Sequence, residues 1–106
     1  MNDVTMHVER PPKSMNLRLS ALHALRSRID EQDLKILRAI EERGRIVEEV
    51  LVLKQSAGFP PFDAIRERQL LQRLQATYHG PYQWREVELV FRTLLEMSRT
   101  LPGPTC

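Results

Sequence analysis

Residues Ser20 to Ala57, SALHALRSRIDEQDLKILRAIEERGRIVEEVLVLKQSA, contain a single glycine, Gly44, and no proline. A run so free of breakers predicts one long helix. Its seam advances in alternating steps of four and three through Leu22, Arg26, Ile29, Asp33, Ile36, Ile40, Arg43, Val47, Val50 and Lys54. The apolar members make the stripe by which a helix is buried. The charged members are the informative ones, because a charge set into such a stripe is costly unless it is paired or meets a ligand. Arg26, Arg43 and Lys54 are therefore candidates for holding an anion.

Geometry adds a second expectation. At about 1.5 Å per residue, roughly 38 residues make a rod of about 57 Å, whereas a compact chain near this length has a radius of gyration of about 13 Å. Such a rod does not fit inside one small globule, so the seam is expected to pack against a second copy of the chain. Arg43 and Lys54 lie close to three turns apart, about 16 Å along one face, within reach of one small molecule between them. Arg26 lies about 25 Å from Arg43 along the same helix. It could share that ligand only from the partner chain of a dimer.

The 106 residues set one domain, and 42% hydrophobic content supports a modest core. Sixteen Lys and Arg against fourteen Asp and Glu leave a formal charge of +2, too slight an excess to suggest a nucleic-acid surface. The lone cysteine, Cys106, excludes an internal disulfide framework and fits a reducing compartment. No apolar run approaches a membrane span and no signal-peptide core opens the chain, so a cytoplasmic location without membrane contact is the expectation. His7 and His23 are isolated, and neither has the neighbours of a metal site.

Three segments follow from the punctuation. Residues 1–19, with Pro11 and Pro12 and no sustained period, read as a flexible N-terminal arm. Residues 20–102 read as an all-α domain, and 103–106 as a short tail. Within the domain, Ala57-Gly58-Phe59-Pro60-Pro61 ends the long helix. Asp63 stands where an N-cap belongs, before a second helix to about Thr77 with Ile65, Leu70, Leu71 and Leu74 as its apolar face. Asp63, Arg66 and Glu67 cluster on its first turn, read from spacing as a cap with a surface ion pair. After the loop Tyr78–Gln83, a third helix from about Trp84 to Leu101 carries the stripe Val87, Phe91, Leu94, Ser98, Leu101. A serine in such a stripe commonly bonds back to its own backbone, yet Ser98 would face the same interior as the basic residues.

The order Ala24-Leu25-Arg26-Ser27-Arg28-Ile29-Asp30-Glu31-Gln32-Asp33-Leu34-Lys35-Ile36-Leu37, then Glu42-Arg43, Lys54, Gly58-Phe59-Pro60-Pro61-Phe62-Asp63, Arg66-Glu67-Arg68 and Ser98-Arg99-Thr100-Leu101, resembles the all-helical AroQ-type chorismate mutases over roughly Leu22 to Leu101. The stretch through Gly44-Arg45 and Gly58 is also similar to mutase domains fused to, or regulating, DAHP synthases. The resemblance implies an intertwined homodimer of three-helix chains with no cofactor or metal, acting on the dianion chorismate. It also implies roles. Arg43 would clamp one carboxylate, and Arg26 would cross from the partner chain to the ligand carboxylates. Lys54 would reach the ether oxygen, Asp63 and Glu67 would position the ring hydroxyl, Arg66 would bind ligand or order the site beside them, and Ser98 would contact a carboxylate. Asp33 would be a structural partner for a buried arginine.

One position departs from the family pattern. Pro102 stands where the family usually has Gln or Glu to donate a second hydrogen bond to the ether oxygen, and proline has no donor at all. By analogy with loss of one oxyanion-hole donor, this would cost about 10²–10³ in rate. Alternatives to a mutase are therefore a weakly active or inactive chorismate- or prephenate-binding module that regulates a DAHP synthase, an isochorismate pyruvate-lyase, or a helical dimer whose seam charges only pair with one another.

Overall fold

The computed structural model describes residues 13–60 and 62–101. Helices α1 (Lys13–Ala57), α2 (Ala64–Thr77) and α3 (Trp84–Arg99) follow in that order, with no strand among the described residues. The all-α expectation of one long and two shorter helices holds. The first helix, however, begins seven residues before the expected Ser20, so residues 13–19 of the expected arm are helical. The reason is local: Lys13 to Leu19 contains Lys, Met, Leu and Arg, all strong helix formers, and neither Gly nor Pro. The expectations placed on residues 1–12, on Pro102 and on the tail 103–106 lie outside the described residues.

The chain divides into two compact units, one ending at Arg38 and the other beginning at Ala39. The first holds the N-terminal part of α1, and every described side chain in it is exposed. Its seam apolars are open to solvent, with Leu22 40%, Ile29 58% and Ile36 57% exposed. Asp33 is exposed too, and no described charged side chain is buried. Within this unit its face has no second layer.

The second unit has a core. The C-terminal part of α1 ends at Gly58, whose φ of +74° is the left-handed conformation that closes helices. Here Gly58 N–H donates to Gln55 C=O at 3.4 Å and Phe59 N–H to Lys54 C=O at 2.9 Å, the paired bonds of a Schellman cap. Asp63 caps α2 as expected, in extended backbone, with Oδ1 accepting from Arg66 N–H at 3.0 Å. At the start of α3, Gln83 N–H donates to the side chain of Glu86 at 3.2 Å.

Among the described residues, Leu71 of α2 and Leu95 of α3 are the two buried hydrophobic residues. Around them lie half-buried Val47, Leu51, Leu70, Leu74, Val87, Phe91 and Leu94. The expected α3 stripe is half-buried throughout, but Leu95, beside the stripe, is buried more deeply than any of its members. A strict four-three seam is narrower than the face a helix buries against two neighbours. Ile65, expected on the apolar face of α2, is 66% exposed at the helix's open first turn. The connector between α2 and α3 is tight: Tyr82 N–H donates to the Tyr78 hydroxyl at 2.8 Å, and the Tyr78 and Trp84 rings meet at 6.1 Å between centroids.

Candidate functional site

Three helix ends in the second unit surround one cleft of about 470 Å³, a volume suited to a small ligand. Arg43 and Lys54 come to it from α1, Asp63, Arg66 and Glu67 from the start of α2, and Ser98 and Arg99 from the end of α3. Between these polar groups the walls are aliphatic, supplied by Val47, Leu51, Leu70 and Leu95. Four cations line the cleft (Arg43, Lys54, Arg66, Arg99) against three carboxylates (Glu42, Asp63, Glu67). An apolar wall beneath clustered cations favours an anion with an unsaturated or aliphatic body.

Several of the polar groups are held by neighbours. The Arg43 guanidinium donates to Ser98 Oγ at 2.7 Å, and Ser98 Oγ in turn donates to Leu94 C=O at 2.8 Å. Ser98 thus does both things its position allowed: it bonds back to its helix and meets a basic residue across the interior. With one of its five donors engaged, Arg43 retains the rest of a planar fork suited to a carboxylate. Lys54 is half-buried in the last turn of α1, where a cation also suits the carbonyl end of the helix. Asp63 spends one carboxylate oxygen on its cap.

Glu67 does not pair within its own turn. Its carboxylate accepts from Arg99 at 2.5 Å across the α2–α3 junction, which replaces the expected surface ion pair of the Asp63–Arg66–Glu67 cluster. Arg99 also donates to Glu96 at 2.9 Å and lies 4.1 Å from the centroid of the Phe62 ring. The hydrogen bond to Glu67, together with the nearby negative charge of Glu67 and Glu96, raises the Arg99 pKa further above its ordinary value. Arg99 and Glu42 are charged cleft residues that sequence reasoning did not assign to the site, and Arg99 is the one with bonds across it. The available signal was a basic residue in a last helical turn, three after a glutamate.

Six of the seven expected site residues therefore meet in one cleft: Arg43, Lys54, Asp63, Arg66, Glu67 and Ser98. Arg26, expected to reach the ligand from a partner chain, is an exposed residue of the first unit. Among the described residues no group of three or more His, Cys, Asp or Glu could hold a metal ion, and no helix is long and apolar enough to cross a membrane.

The chain matches the family model for chorismate mutase type II over residues 25–102. Among solved structures it is similar to a chorismate mutase from Thermus thermophilus in two forms. Form II superimposes with a TM-score of 0.73 at 33% identity, covering 76% of this chain and 92% of that one. Form I gives 0.71 at 33% identity, covering 74% and 98% respectively. A comparison with curated proteins returns no match.

Proposed function

The chain belongs to the chorismate mutase type II family, and from that premise we propose that it rearranges chorismate to prephenate in the cleft between its three helix ends. The reaction is a unimolecular pericyclic step on a dianion. It requires the extended substrate to be held in a chairlike conformer and the negative charge growing on the ether oxygen to be stabilised. The observation that carries the reading is the convergence of Arg43, Lys54, Asp63, Arg66, Glu67 and Ser98 on one small cleft with aliphatic walls.

In this proposal Arg43, oriented by Ser98, clamps a carboxylate, and Lys54 donates to the ether oxygen, where charge appears only in the transition state. Glu67 accepts the one hydrogen bond that the ring hydroxyl can donate, and Asp63 lies beside it on the same turn of α2. Ser98 and Arg66 complete the polar wall. The functional unit is a homodimer, in which the exposed apolar seam of the first unit is covered by a second copy and Arg26 of the partner subunit reaches the ligand carboxylates. The exposure of Leu22, Ile29 and Ile36 supports this assembly.

The experiment is to follow loss of chorismate absorbance with the purified protein beside its Pro102→Gln variant. Turnover by the unmodified protein is the expected result. A proline at 102 favours one second reading, a chorismate- or prephenate-binding module that regulates a DAHP synthase. Turnover only in Pro102→Gln would select that reading, and no turnover or chorismate binding in either protein would overturn both.

A further inference from the structure

Ser98 and Arg99 are consecutive, yet they bond to different elements: Ser98 to Arg43 of α1, Arg99 to Glu67 of α2. The last turn of α3 thus reaches both other sides of the cleft. The Arg99 guanidinium has three neighbours, since it also bonds Glu96 and lies against the Phe62 ring one residue before the Asp63 cap. One face of this cation is occupied by an aromatic ring and its edges by two carboxylates, an arrangement that a planar five-donor group can satisfy and a point charge cannot. The Glu67 side chain is 21% exposed, more enclosed than that of Arg99 at 40%, so the arginine covers a carboxylate already turned inward.

We propose that Arg99 is a positioning residue for the reaction: it fixes the Glu67 carboxylate at the cleft wall so that the oxygen not bonded to Arg99 accepts from the hydroxyl of the substrate. The inference rests on the reading of the cleft as the chorismate site. A carboxylate can take several hydrogen bonds, so pairing with Arg99 leaves acceptor capacity on Glu67. Without the arginine, Glu67 loses its fixed direction, and misplacement of a contact group by about 1 Å can cost as much as 10²-fold in rate. The pair itself is too exposed to dominate stability. Orientation is therefore what its loss should disturb.

The test is a double-mutant cycle on the full chain, measuring kcat and KM for chorismate in the unmodified protein, Arg99→Met, Glu67→Gln and the double variant, with thermal melts of each. Arg99→Met should lower kcat/KM roughly 10-fold or more while the melt changes little. It should reproduce the division between KM and kcat seen in Glu67→Gln, and the double variant should be no worse than Glu67→Gln alone. Arg99→Lys should recover part of the loss, since it keeps the charge without the fork. Should Arg99→Met fail to fold, Glu96→Gln loosens one anchor of the guanidinium; it should show a smaller loss that vanishes in the Glu67→Gln background. An active parent with no loss in Arg99→Met, or with losses that multiply in the double variant, overturns the positioning role alone. A parent that neither turns over nor binds chorismate overturns the site assignment and this role with it.

Discussion

The two parts of α1 share one helical period and a similar supply of apolar residues, yet they have different fates. Before Arg38 every described side chain is exposed; beyond Ala39, Ile40, Arg43, Val47, Leu51 and Lys54 are half-buried. The difference is not in the helix. It is in what lies beside it, since only the second unit contains α2 and α3 and their core around Leu71 and Leu95. Periodicity specifies which face of a helix can be buried, while burial itself requires a neighbour.

The comparison can be broken first at Lys54. In the proposed site it meets developing charge, so Lys54→Ala should lower kcat by about 10²–10³ or more with helicity and assembly unchanged. Chorismate turnover, circular dichroism and gel filtration check this, and near-normal turnover would remove the cleft from the chemistry. The next experiment asks whether the exposed part of α1 joins the site from another chain. Arg26→Ala and Arg43→Ala proteins should each be weak, but mixed under subunit exchange they should recover roughly a quarter of the parent activity, because half of randomly formed dimers are mixed and each holds one intact site. No recovery would leave the first unit outside the site.

Smaller effects probe packing. A Cβ at Gly80 would lie 2.6 Å from the Tyr78 hydroxyl, which is held by Tyr82 N–H and packed near Trp84. Gly80→Ala should therefore cost about 1–3 kcal/mol in denaturant unfolding, by forcing the ring out of that arrangement. Gly44 is half-buried inside α1, and a Cβ there meets nothing within 4 Å. Gly44→Ala should then stabilise by about 0.5–1 kcal/mol through helix propensity alone. Destabilisation instead would mean that a second chain closely approaches this face.

What the sequence disclosed depended on distance along the chain. The Gly58 stop, the Asp63 cap and the start of α3 at Trp84 are set by residues within a turn of each boundary, and each was read correctly. The convergence of Arg43 with Ser98 could be anticipated because both interrupt apolar stripes. Arg99 interrupts none, and its partner Glu67 is 32 residues away on another helix, so no local pattern reveals the pair. Leu95 was missed for a related reason: its burial arises where α3 meets its neighbours, beyond the reach of a one-dimensional stripe. The early start of α1 shows the opposite error, in which two prolines and mixed charge outweighed five good helix formers among the seven residues 13–19.

The cap that ends α1 fixes more than a terminus. Phe59 N–H binds the carbonyl of Lys54, and Asp63 is fixed at the other end of the connector by its bond to Arg66 N–H. Two groups of the same cleft are thus anchored, one at each end of a single short connector. Surface connectors usually accept insertions and deletions freely. This one should not, because adding or removing a residue would change the gauge between lysine and aspartate without altering a single side chain that lines the site.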